Sequence, residues 1–196
     1  MLRRIINSHY GLWAVLSVPA LLILHGYVND AYSYGEVIHL TGEWSVRLLI
    51  VTMAVTPLRL VFARSRWPLW LVQRRRALGV ATFAYAAFHL AVYLARKQDV
   101  ALILEEGVEW DLLTGWIAMV IFLLLAVTSN DTSLRMLRRL WKHLHRLVYP
   151  AAILTFAHWL LTAFDMTVGL IYAAILLALE CIRVFYSLRR ARQKAA

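Results

Sequence analysis

The sequence predicts an all-α membrane protein, a bundle of six transmembrane helices with both termini cytoplasmic. Three observations carry this prediction. Of the 196 residues 62% are hydrophobic and 16% charged, with a mean hydropathy of +0.65, and a water-soluble fold of this size has too little interior to hide so much apolar surface. Six stretches are long and apolar enough to cross a hydrocarbon core of about 30 Å as helices. The charges divide between the two ends of those stretches as the positive-inside rule requires.

The first span, residues 10–28, follows Arg3 and Arg4 and ends at Asn29-Asp30. It exceeds the apolar core of a signal peptide, and no small-residue cleavage site follows at the usual distance, so it is expected to stay as a helix. The second, 44–62, runs into a basic stretch ending at Arg76, and the third, 77–94, is followed by an acidic stretch over 99–111. The fourth, 112–129, stops at Ser129-Asn130-Asp131, a turn signal. The fifth, 147–164, and sixth, 167–188, are joined around Asp165 by so short a link that they are expected to form an antiparallel pair. Strands of a membrane barrel would instead alternate over about ten residues.

With the N-terminus inside, every one of the 21 basic residues except Arg47, Arg96 and Lys97 falls on the cytoplasmic side. Every acid except Asp131 and Glu180 falls on the outer side. The net charge of +10 is therefore read as topology and affinity for anionic membrane lipid, with no nucleic-acid role. Trp44, Trp110, Trp116 and Trp159 fall near the outer boundary and Trp13, Trp67, Trp70 and Trp141 near the inner one, an aromatic belt. Four prolines and eight glycines leave no linker, so residues 1–196 read as one domain. A lone cysteine, Cys181, rules out an internal disulfide or a CxxC pair, so redox chemistry would need a cofactor.

Histidine at membrane depth is costly without a partner and is a functional candidate by default. His9 and His39 fall outside the spans and read as solvated, and His25 reads as interfacial. His158 lies 13 residues beyond His145, and His89 lies 13 beyond Arg76, each step about 20 Å along a helix axis. His89 and His158 are thus expected at one depth near the outer face, on two helices, an arrangement suited to axial ligation of iron in a planar macrocycle. His145 and Arg76 share the inner level, where arginine is a better partner for a propionate than a ligand for iron. On one ideal helix His145 and His158 would sit about 140° apart, unless Pro150 changes the local twist. His143 would sit about 60° from His158 and fits one face better, so the inner histidine stays open between the two. Arg47, one turn after Glu43, is expected to pair with an outer propionate.

Several motifs in order carry a resemblance. Thr41-Gly42-Glu43-Trp44 with Arg47, then Val55-Thr56-Pro57-Leu58-Arg59, then Arg75-Arg76-Ala77-Leu78-Gly79 leading through Phe83 and Tyr85 to His89 and Tyr93, resemble the MsrQ (YedZ) family. So does Trp141-Lys142-His143-Leu144-His145-Arg146-Leu147-Val148-Tyr149 followed by His158. That family lies in the ferric reductase-like transmembrane group, and the resemblance spans roughly residues 42–159. It implies a six-helix subunit of the bacterial inner membrane that binds heme b, one or two, and is also described with FMN. It implies electron flow from a quinone or a cytoplasmic flavin reductase to a periplasmic molybdenum-cofactor enzyme that reduces methionine sulfoxide. By position His89, His145 and His158 match its heme-associated histidines. Two places depart from its pattern: Glu109-Trp110-Asp111-Leu112-Leu113-Thr114-Gly115 lacks a basic residue and proline, and His143 stands where arginine or lysine is usual. The first departure keeps open a different sulfite-oxidase-like partner.

The leading expectation is an electron-transfer subunit without chemistry of its own. The alternatives are a heme-free small transporter or proton channel, which would need polar residues along a midplane path, and a non-redox anchor. Trp110 amid Glu105, Glu106, Glu109 and Asp111 reads equally as a docking anchor with an acidic rim and as an interfacial tryptophan in a solvated loop.

Overall fold

The computed structural model describes residues 8–195; Arg3 and Arg4 lie outside them. Helix α1 covers His9–Val28, α2 Tyr34–Val61, α3 Trp67–Lys97, α4 Val100–Glu106 and α5 Trp110–Val127. Then come α6, Asp131–Leu137, and α7, Arg139–Leu144, a 3-10 turn at His145–Leu147, α8, Val148–Thr162, and α9, Thr167–Ala195. The described residues contain no strand. Five of these helices, α1, α2, α3, α5 and α9, are long and apolar enough to cross a membrane. The fifth predicted span is shorter than expected: α8 has 15 residues, a rise of about 22 Å.

Capping groups set the ends. Ser8 accepts the Gly11 N–H at the start of α1. Ser33 and Glu36 form a reciprocal capping box that starts α2 ten residues before the expected Trp44. Pro68 sits in the first turn of α3, where its missing N–H is harmless. Asp99 caps α4, which fills the stretch expected as a connection between spans. Asn130 caps α6 by accepting the Ser133 N–H. Pro150 also falls in a first turn, that of α8, and the 3-10 turn precedes it. The phase conflict between His145 and His158 therefore dissolves, because the two do not share one continuous α-helix.

Inside lipid, helices associate through close packing rather than hydrophobic burial, which favours small residues and satisfied hydroxyls at the seams. Where α2 meets α3, Ser45 Oγ donates to the Thr82 carbonyl at 3.0 Å. A core of Val46, Leu49 and Met53 from α2 meets Ala118, Phe122 and Leu125 of α5, Ala151, Ala152 and Phe156 of α8, and Leu176 of α9. A second cluster, Leu48, Leu78, Ala81 and Tyr85, packs on Trp13, Leu16 and Ala20 of α1. There the Tyr85 hydroxyl donates to the Leu16 carbonyl (2.8 Å) and accepts the Ala20 N–H (3.0 Å). An uninterrupted helix would pair those two backbone groups with each other. Beside Pro19 the tyrosine takes over both, tying α1 to α3.

Candidate functional site

Helices α2, α3, α5 and α8 enclose a cavity of about 440 Å³ that carries His89 and His158 on its walls, with Glu43, Leu90, Met119 and Phe122 among the others. The volume is that of a small-molecule or cofactor site. His89 Nδ1 lies 2.8 Å from the Ile38 carbonyl oxygen, and His158 Nδ1 lies 2.7 Å from that of Asp111. A carbonyl only accepts, so in both rings Nδ1 carries the proton and donates, leaving the Nε2 lone pair for a ligand role. The ring centres are 6.2 Å apart with planes at 82°. Two imidazoles bonded to one metal from opposite sides at about 2.0–2.1 Å would place their centres roughly 6.3 Å apart. The residues present fit a heme that asks the protein for two axial imidazoles.

Arg47 is not among the cavity-lining residues. Its guanidinium bonds Glu43 at 2.6 Å and donates to the Tyr172 hydroxyl at 3.1 Å, and that hydroxyl donates to the same Glu43 oxygen at 3.1 Å. Glu43, nearly buried, is the member of this triad that faces the cavity. Arg47 also lies over the Trp44 ring, 4.9 Å from its centre.

His39, expected outside the spans, belongs to α2 and lines the cavity, edge-on to Trp159 at 6.1 Å. The Ser33-x-x-Glu36 capping box was the signal in the sequence that places it on the helix. Trp116 and Trp159, assigned to the aromatic belt, line the cavity too.

The inner level is built differently. His145 Nε2 lies 3.2 Å from Thr128 Oγ1 and its ring stacks on Trp141 at 3.9 Å, while Trp141 Nε1 donates to the Thr128 carbonyl. Burial pushes the His145 imidazole below its ordinary pKa, and the charges of Arg75 and Arg76 act in the same direction. Arg76 pairs with Asp131 at 2.7 Å, holding that carboxyl below its usual value. Arg75 donates to the Thr56 hydroxyl at 3.2 Å. His143 is exposed, whereas His145 is half-buried. Of the five residues singled out for cofactor binding, the cavity gathers His89 and His158; Arg47, Arg76 and His145 lie outside its lining.

At the end of the bundle that carries the acidic stretch 99–111, Trp110 is 77% exposed. Glu106 turns away from the expected acidic rim to pair with Lys97 and accept from the Tyr93 hydroxyl.

A multi-pass helical bundle holding two histidines across one apolar cavity defines the class of this protein. The chain belongs to the family described as the ferric reductase like transmembrane component, which matches residues 41–156. Among its relatives is the heme-binding subunit MsrQ of protein-methionine-sulfoxide reductase from Xanthomonas campestris pv. campestris (strain B100), 38% identical over 82% of this chain and 73% of the relative. The protein of the same name from Xanthomonas axonopodis pv. citri (strain 306) is also 38% identical, with the same coverage. That of Ralstonia nicotianae (strain ATCC BAA-1114 / GMI1000) is 35% identical over 93% of this chain and 87% of its own length. No solved structure matches the chain.

Proposed function

We propose that the chain is a heme b electron-transfer subunit of the bacterial inner membrane. It passes electrons from the cytoplasmic side to a periplasmic molybdenum-cofactor methionine sulfoxide reductase. The observation that carries this reading is the pair His89 and His158, 6.2 Å apart across one cavity with both Nδ1 atoms tied to backbone. When bound, heme supplies reversible one-electron chemistry. The chain does the rest. His89 and His158 would hold the iron through Nε2, and the carbonyls of Ile38 and Asp111 fix their tautomer and orientation. Leu90, Met119 and Phe122 give the site apolar walls.

The two charged elements flank this site in our reading. Glu43 holds Arg47 within one side chain of the cavity, so a propionate there would compete with Glu43 for the guanidinium. On the cytoplasmic side His145, with Arg75 and Arg76, forms the end at which a quinone or a flavin reductase delivers electrons. A second heme there would require the contact between His145 and Thr128 to open. A reductase partner is supported by the relatives' name; its molybdenum cofactor and FMN rest on the sequence resemblance alone. A reduced-minus-oxidised absorption spectrum of the purified chain tests the proposal: b-type bands are expected, and their absence would refute it.

A further inference from the structure

Resting on that heme reading, we infer that two Thr-Gly steps, Thr41-Gly42 and Thr114-Gly115, are positioning elements that hold the two ligand imidazoles in nearly perpendicular planes. The same device occurs twice. In the α2–α3 pair the Ile38 carbonyl accepts from His89 Nδ1 at 2.8 Å, and the one proton of the Thr41 hydroxyl is shared between the Val37 carbonyl at 2.8 Å and that of Ile38 at 3.0 Å. In the α5–α8 pair the Asp111 carbonyl accepts from the Thr114 hydroxyl at 2.9 Å and from His158 Nδ1 at 2.7 Å. One turn past each carbonyl stands a glycine, and the imidazole edge rests on it. A Cβ at Gly42 would lie 3.1 Å from His89 Nδ1 and 3.3 Å from its Cε1; at Gly115 it would lie 2.8 Å and 3.0 Å from the same atoms of His158.

Each ring is therefore pinned by one hydrogen bond, one steric floor, and a hydroxyl that steadies the shared acceptor. An imidazole free to spin about its Cβ–Cγ bond would set its plane by contact with the bound macrocycle. Here the plane is set beforehand by backbone, and the two settings differ by 82°. Perpendicular axial planes leave two iron d orbitals nearly equal in energy, whereas parallel planes split them. The ferric protein should then give a highly anisotropic low-spin resonance with one large g value, in place of three well-separated ones.

The test is electron paramagnetic resonance and heme titration of the full chain in detergent. Gly115→Ala should push the His158 ring off its carbonyl, moving the signal toward three resolved g values and lowering heme affinity about 10- to 100-fold. Gly42→Ala should act the same way more weakly, since its contact is looser. Gly79→Ala, whose Cβ would meet Thr52 Cγ2 at an ordinary 3.7 Å, should leave the signal unchanged and so exclude a general effect of alanine in a helix. Should Gly115→Ala fail to fold, Thr114→Val keeps the packing and removes only the hydroxyl's bond to Asp111, with a smaller shift of the same sign expected. A three-g-value signal in the unaltered protein would overturn the inference. So would an unshifted signal in both Thr114→Val and whichever glycine variants fold. Absence of heme from the unaltered chain would instead refute the heme reading. The positioning device is then judged by the 15N resonances of the two imidazoles in the heme-free chain. Nδ1-protonated rings that lose this preference in Gly115→Ala support it, and rings indifferent to the substitution overturn it.

Discussion

The two levels of this bundle start from the same spacing, a histidine with a basic or histidine position 13 residues earlier. Their outcomes differ because of what surrounds each side chain. At the outer level His89 and His158 spend Nδ1 on backbone carbonyls and face a common cavity. At the inner level His145 turns Nε2 to Thr128 and lies against Trp141, and Arg76 is taken by Asp131. Equal depth makes two side chains candidates for one ligand; the choice of which nitrogen is engaged elsewhere makes them a site.

The largest effect that would sharpen this comparison belongs to the outer pair. His89→Ala and His158→Ala should each remove most of the low-spin heme, read as the loss of b-type bands per protein. Retention of an unchanged spectrum in both would break the outer assignment.

His145→Ala should shift or remove one redox component while leaving the outer low-spin signal in place, followed by potentiometric titration. His143→Ala, at an exposed position, should change neither. The reverse ranking would transfer the inner role to His143.

A smaller effect concerns the triad beside the cavity. Tyr172→Phe removes the hydroxyl that bridges Arg47 and Glu43 and should lower stability by about 0.5–1.5 kcal/mol. Glu43→Ala should cost more, because it strands a partly buried guanidinium. Thermal unfolding in detergent ranks the two, and equal midpoints for Glu43→Ala and the unaltered chain would remove the triad from the account.

The smallest effect is set by pH. Arg76 lowers the Asp131 pKa in the folded protein relative to its ordinary value. The link between α3 and α6 is therefore intact above the ordinary aspartate value and is lost as pH falls through the lowered one. Hydrogen exchange over residues 129–147 should rise in that acid window while the outer cavity stays protected. Asp131→Asn should abolish the dependence. Both partners are well exposed, so the change is modest.

Much of this architecture was legible in advance. Length of apolar runs and the asymmetry of charge depend only on composition along the chain, so the all-α membrane class could be read from residues 10–188. The helical 1.5 Å rise is equally local, which is why His89 and His158 could be matched in depth before their contact was seen. The start of α2 differs from the start of the apolar run because its polar capping box lies outside that run, and His39 lies between the two. The shortening of the fifth span was hidden because Leu147 and Phe164 are apolar whether or not they are helical.

The linear order of residues carries one-dimensional content: which segments prefer lipid, how charge is distributed between their ends, and which histidines fall at one depth. Packing in three dimensions settles which partner each polar group takes. Arg47 could have met a propionate as readily as Glu43 and Tyr172, and Arg76 could have done the same instead of meeting Asp131. Apart from Arg47 and Glu43, four residues apart on one helix, those choices depend on the rotation of each helix and on segments distant in sequence, as with Ile38 and His89, 51 residues apart, or Arg47 and Tyr172, 125 apart. Spacing along a single helix contains neither quantity, because rotation and neighbour are settled by packing of all the helices at once.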